Sequence, residues 1–346
     1  MNRPSVCRIG GGLRGHQRSR TGLLATVCLS AVLAGCAGPS TSAEPKAAPV
    51  DANAALAAPA AEAAAEGAEH AAAEGAEPAG ARPAAPPQLP GAARKEEESS
   101  GDTMARQEVA TRTALETAQR WGLDRVPFKA PPRPAARVTL TQGQGVKLAD
   151  GRPPVVYRVP TDDKVVFLTV DDGDEKDPEF SRMADELGIP LSTYISDYLA
   201  RENYGYFRDL HAQGVEINNH TINHRNLKIL DYDTQRQEIC NQQDQLEQQI
   251  GVRPRLFRPP YGEYNDDTLL AAASCGVEAV PLWNEEAFPD HMEWRYDDRK
   301  LHSGDIILTH FRGTGTWNAT MPDLLRKVLD DVTAQGFALA RLDDYL

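Results

Sequence analysis

Val165-Val166-Phe167-Leu168-Thr169-Val170-Asp171-Asp172-Gly173 is the stretch whose reading decides the fold. Its first six residues are β-branched or apolar and do not alternate with polar ones, the pattern of a strand covered on both faces. Coverage on both faces calls for helices on either side of a parallel sheet. The downstream sequence supplies them. Residues 177–187 read as an amphipathic helix closed by Gly188, before a strand at 190–195. The alternation recurs with helices at 204–213, 234–250, 266–275 and 321–335, closed by Gly214, Gly251, Gly276 and Gly336. Strands follow each of them, at 215–217, 255–257, 277–282 and 337–342, and a further strand is read at 305–308. Glycine takes the left-handed position after a helix without a Cβ penalty. About seven strands with right-handed crossovers give an α/β domain of barrel type rather than an open sheet.

The polar residues fall at strand ends. The strands run into Asp171-Asp172-Gly173, Asn218-Asn219-His220, Arg258-Pro259-Pro260-Tyr261-Gly262, Trp283-Asn284-Glu285-Glu286 and Thr309-His310. In α/β barrels the carboxyl ends of the strands meet at one mouth, where the chemistry is done. Asp172, His220 and His224 are the metal candidates. Histidines four apart reach one ion from a single helical turn, and a carboxylate from another strand leaves coordination positions open for water and substrate. Asp171 is the candidate base for a metal-bound water, Arg258 the residue that holds its rotamer, and His310 the acid for the leaving amine. Tyr261 offers a backbone N–H to a developing oxyanion.

These residues resemble the polysaccharide deacetylase (NodB-homology) family of carbohydrate esterases. Thr169-Val170-Asp171-Asp172-Gly173 is similar to its Thr-Phe-Asp-Asp-Gly motif, and His220-Thr221-Ile222-Asn223-His224 to its His-Ser/Thr-x-x-His motif. Arg258-Pro259-Pro260-Tyr261-Gly262 and Leu308-Thr309-His310 match the third and fifth motifs. The resemblance implies a deformed (β/α) barrel and a divalent ion on Asp172, His220 and His224, zinc first, with cobalt, manganese or nickel in its place. It implies removal of N-acetyl groups from cell-wall or related polysaccharide, peptidoglycan or N-acetylglucosamine oligomers. Asp171 is then the base, His310 the acid, Leu308 the lining of the acetyl pocket, and Trp283 and Tyr261 substrate contacts. The fourth motif departs. Its Asp-x-x-Asp-Trp is missing after Trp283, and either Glu286 or Asp290 is expected to stand in for the acid that tethers Arg258. The alternatives are a non-catalytic glycan-binding module on the same fold and an O-acetyl esterase acting on acetylated xylan. A non-haem iron oxygenase also uses two His and a carboxylate, but no cosubstrate pattern supports it.

The remaining sequence concerns location. The chain has 346 residues, and its 50 acidic against 37 basic residues give a formal charge of -13, which argues against nucleic acid as a partner. All four Trp, ten Tyr and eight Phe lie beyond residue 100. Five arginines (Arg3, Arg8, Arg14, Arg18, Arg20) precede an apolar run at 23–33, shorter than the roughly 18 residues of a membrane span. Leu33-Ala34-Gly35-Cys36 resembles the bacterial lipoprotein box, which makes Cys36 the lipidated residue. The expected organisation is a lipoprotein signal peptide at 1–36, a disordered Ala/Pro/Glu-rich linker at 37–102, a helical and extended segment at 103–160 and the catalytic domain at 161–346. The protein is then a monomer on the extracellular face of the membrane, held there by lipid alone or released to the wall. Cys240 and Cys275, in an exported domain, are expected to pair.

Overall fold

The computed structural model describes residues 90–143 and 145–346. The signal peptide, Cys36 and most of the expected linker lie outside them. Helix α1 (Pro90–Arg120) begins inside the stretch read as linker. Residues 90–97, Pro-Gly-Ala-Ala-Arg-Lys-Glu-Glu, explain this. Proline suits the first helical position, and Ala, Arg, Lys and Glu are strong helix formers. The end of α1 docks on the domain, where Arg120 Nη2 and Trp121 Nε1 both donate to Glu186 Oε2 at 3.0 and 2.8 Å.

The short strands β1 (Val146–Lys147) and β2 (Val155–Val156) lead into β3 (Val165–Asp172), all eight residues of which are buried. Then come α2 (Pro178–Leu187), β4 (Ser192–Ile195), α3 (Asp197–Ala200), α4 (Tyr204–Ala212) and β5 (Glu216–Asn219). They are followed by α5 (Tyr232–Ile250), α6 (Asp266–Ser274), β6 (Val280–Pro281), β7 (Glu285–Ala287) and β8 (Met292–Trp294). The chain closes with β9 (Ile306–His310), α7 (Thr314–Trp317), α8 (Met321–Ala334) and β10 (Ala338–Leu339). The α2 boundaries show the local logic. Asp177 caps the N-terminus by accepting from Glu179 N at 2.8 Å, Pro178 follows, and Gly188 at φ 62° ends the helix.

The main sheet runs β5-β4-β3-β9-β7-β8, and β10 also pairs with β3. Every pairing in it is parallel except β7 with β8. Closure comes from isolated parallel bridges, Asn219 to Phe257 and Leu256 to Ala279. The run from Ala279 to Ala287 then carries the wall across to β9. The result is the expected barrel, deformed where the wall is only bridges. Three expected strands are shorter than read: 255–257 survives as those bridges, 277–282 shrinks to β6, and 337–342 shrinks to β10. The β7–β8 hairpin was not read from the sequence. Phe288-Pro289-Asp290-His291 turns the chain, and Phe288 N donates back to His291 O at 2.9 Å.

Period two on β3 divides the core. Val166, Leu168 and Val170 pack outward with helix residues such as Phe180, Leu325 and Val328. Val165 and Phe167 face the lumen with Tyr194, Ile306 and Tyr345. Thr169 and Asp171 follow on the lumen face. That lumen is partly polar. Asp343 accepts from Ser192 Oγ at 2.7 Å and from Asn218 Nδ2 at 3.3 Å. A disulfide joins Cys240 on α5 to Cys275 just after α6. Among the described residues no helix is long and apolar enough to cross a membrane.

Two stability predictions follow from this interior. Burial, then the Glu216 charge, push Asp343 from 3.8 up to about 6, against the hydrogen bonds from Ser192 and Asn218. The folded state therefore holds a proton that the unfolded chain releases from about pH 4. This lowers stability across pH 4 to 6, by about 3 kcal/mol at most, and the loss is complete above that window. Asp343→Asn is expected to stabilise the protein in urea titrations at pH 7.5 and to change little at pH 3.5; an equal effect at both would refute the assignment. Replacing Cys240 and Cys275 by Ser opens a loop of sequence separation 35. The expected loss is about 2–4 kcal/mol, read by the same titration with and without reductant on the native protein.

Candidate active site

The carboxyl ends of β3, β5 and β9 bring the candidate residues to one rim. Asp171 keeps the inward direction that its place on β3 dictates. Asp172 would point outward, but its backbone lies at φ 79°, and this twist brings its carboxylate back toward the rim. Four of the six non-glycine residues with positive φ among those described are here: Asp172, Thr221, His224 (φ 52°) and Tyr261 (φ 62°). Such backbone costs about 1–3 kcal/mol per residue and persists only where neighbours enforce it.

His220 and His224 converge, but not on a helical turn as their spacing suggested. His220 follows β5, and the chain then folds through left-handed residues. Asn219 Oδ1 accepts from Thr221 N at 2.8 Å, and Thr221 Oγ1 accepts from His224 N at 3.0 Å. These local bonds compete with helix and replace it. Glu238 of α5 accepts from Asn223 N and Nδ2, at 3.0 and 3.1 Å, and pins the loop. The two imidazole centroids are 4.9 Å apart.

Asp172, His220 and His224 each present one ligand atom, all within 4.8 Å of one another. His224 Nε2 is 3.0 Å and His220 Nε2 3.6 Å from Asp172 Oδ1. Oδ1 is buried, and the groups it faces are these two imidazoles. His220 Nδ1 lies 2.7 Å from the Arg258 carbonyl, so it carries the proton and leaves Nε2 as the free lone pair. Burial, then the His224 charge, hold His220 well below its usual value. Burial opposes the Asp172 charge, but His224, His310 and His220 outweigh it and hold the carboxyl far below the usual range. A neutral imidazole and an ionised carboxylate are the states a ligand needs. The donor set of one oxygen and two imidazole nitrogens suits a zinc-like divalent ion.

Asp171 is buried beside this group, its Oδ2 3.6 Å from His220 Nε2. Arg258, fully buried, donates to Asp171 Oδ1 at 2.7 Å and to Thr169 Oγ1 at 2.9 Å. Its other donors go to the Pro281 and Leu282 carbonyls, at 2.9 and 3.3 Å, and its guanidinium lies 4.2 Å from the Tyr194 ring centroid. Burial pushes Asp171 up to about 6 against the pull of Arg258 and His310.

The tether expected from the fourth motif is therefore corrected. Neither Glu286 nor Asp290 holds Arg258; backbone carbonyls and Thr169 do. Asp290 is exposed and pairs with His291, while Glu286 Oε1 faces His310 Nδ1 at 3.5 Å. Burial, then Glu293 and the two aspartates, push Glu286 up to about 7. Leu308 shares the inward face of β9 with His310 and is buried. Tyr261 is 45% exposed, with its ring 4.9 Å from His224. Trp283 lies beneath Gly262, where a Cβ would come within 2.9 Å of the indole, so this turn needs glycine. Arg312 was missed by sequence reasoning. It donates to Asp172 Oδ2 at 2.7 Å and to Asp174 Oδ2 at 3.0 Å, a pairing across about 140 residues that no local signal announces.

A parallel barrel with an acid–imidazole cluster and a buried carboxylate on one rim defines a class of site, one whose residues suit a divalent ion. Comparison with known proteins narrows it. The family model described as polysaccharide deacetylase matches residues 158–280. An uncharacterised protein of Streptomyces coelicolor is 40% identical over 195 residues, covering 56% of this chain and 78% of its own length. A Bacillus cereus peptidoglycan-N-acetylglucosamine deacetylase is 24% identical over 203 residues, covering 56% of this chain and 92% of its own. Among solved structures, a carbohydrate esterase family 4 pseudoenzyme from Bacillus anthracis is 21% identical with a TM-score of 0.48, covering 56% of this chain and 68% of that one. The chain belongs to the polysaccharide deacetylase family.

The Arg258–Asp171 pair generates a prediction of its own. Arg258→Met strands a buried carboxylate, and the expected loss is about 3–5 kcal/mol in urea unfolding at pH 7.5. A loss under about 1 kcal/mol would mean that the pair is not the buried anchor described.

Proposed function

We propose that this chain is a divalent-metal-dependent hydrolase that removes N-acetyl groups from peptidoglycan or related N-acetylglucosamine polymers. It works on the extracellular face of the membrane, tethered by lipid on Cys36. The convergence of Asp172, His220 and His224 beside Asp171 and His310 carries this reading. The similarity to a peptidoglycan-N-acetylglucosamine deacetylase supports the substrate class. The basic N-terminus, the apolar run and Leu33-Ala34-Gly35-Cys36 support the anchor. Two acyl chains suffice for stable attachment.

Asp172, His220 and His224 would hold the ion. When bound, a zinc-like ion supplies Lewis acidity that polarises the acetyl carbonyl and acidifies the attacking water. Asp171, aligned by Arg258, accepts the water proton; burial raises its carboxyl above the usual range and so makes it a stronger base than a free aspartate. The Tyr261 backbone N–H is assigned to the oxyanion. His310, facing Glu286, delivers a proton to the amine nitrogen as the C–N bond breaks, releasing acetate and a free amino sugar. Leu308 lines the space for the acetyl methyl group.

The test is acetate release from peptidoglycan, chitooligosaccharides and acetylated xylan, with and without chelator. The expected result is release from the N-acetylated polymers, abolished by chelation and restored by zinc, with Asp171→Asn at least 100-fold slower. Release from xylan alone would make the protein an O-acetyl esterase. Binding without any release would make it a glycan-binding module.

A further inference from the structure

We infer that Arg312 is a positioning residue that restricts Asp172 to a single ligand oxygen. The inference rests on the metal site proposed above. The two oxygens of Asp172 have different fates. Oδ2 accepts from Arg312 Nη2 at 2.7 Å, whereas Oδ1 faces the two imidazole Nε2 atoms, at 3.0 and 3.6 Å. Arg312 is itself well fixed. Its Nη1 donates to Asp174 Oδ2 at 3.0 Å, and its side chain is 21% exposed. The backbone before it continues the β3–β9 pairing, with Phe311 N donating to Asp171 O and Glu175 N to Phe311 O, both at 3.0 Å.

A carboxylate with both oxygens free can chelate an ion through both and fill a position that water or substrate needs. A guanidinium on Oδ2 prevents this, because its donor occupies that oxygen and its charge opposes a closer approach of the cation. Arg312 therefore trades affinity for open coordination. The consequence has a sign that simple loss of the site would not produce: without Arg312 the ion binds more tightly and turnover falls.

The experiment compares wild type, Arg312→Met and Arg312→Lys. Zinc affinity is measured by competition with a chromophoric chelator, the zinc-loaded proteins are crystallised, and kcat/KM is measured on chitooligosaccharide. Arg312→Met is expected to bind zinc about tenfold or more tightly, with both Asp172 oxygens on the ion, and to lose about tenfold or more in kcat/KM. Arg312→Lys keeps the charge and is expected to fall between the two in affinity. It also serves as the folding control, checked by thermal melting. Unchanged or weaker zinc binding in both variants, with Asp172 bound through one oxygen, overturns the inference and leaves the metal site intact. A wild-type protein that binds no zinc overturns the metal site itself.

Discussion

The buried pair of Arg258 and Asp171 is the constraint on which the active rim depends. A guanidinium with no exposure to water survives in a barrel interior only if its donors are met and its charge is balanced. Here Thr169, two carbonyls of the 281–282 segment, the Tyr194 ring and Asp171 share that role. The same contacts join β3 to the wall run at 279–287, where regular strand pairing is thin. The residue that orients the candidate base thus also ties together the weakest part of the barrel. The Arg258 carbonyl, meanwhile, sets the tautomer of His220.

Strain is concentrated at the candidate site. Asp172, Thr221, His224 and Tyr261 all take left-handed backbone, and each is held by something rigid. Asn219 and Thr221 satisfy the turn locally, Glu238 clamps it from α5, and Trp283 packs under the Tyr261–Gly262 turn. A strand must leave its regular twist to turn two successive side chains toward one rim, and positive φ at Asp172 achieves this. Such conformations are tolerated because the surrounding α/β frame over-determines them.

The departure in the fourth motif shows how one role can be divided. Residues 283–290 lack the family's acidic pattern, yet Arg258 is not left unpaired, because main-chain carbonyls of Pro281 and Leu282 take its donors. Glu286 is thereby freed to face His310. Backbone acceptors come with any residue type, so a reading based on side chains had no means of finding them. Arg312 stayed hidden for a different reason: its partner Asp172 lies on β3, about 140 residues away.

The sequence alone determined the barrel and the membership of the rim. The run from Val165 to Val170 demands cover on both faces, the glycines stop the helices, and the polar residues can only collect at the strand ends. Helix-forming composition also carries α1 back to Pro90, although the proline and glycine around it suggested a linker. Tertiary structure decided the partners: Glu286 with His310, carbonyls with Arg258, Arg312 with Asp172, and a left-handed turn in place of a helical one between the histidines. The reason is physical. Periodicity and propensity act over a few residues and are written locally, whereas hydrogen bonds and charge pairs depend on distances that exist only once the barrel has closed.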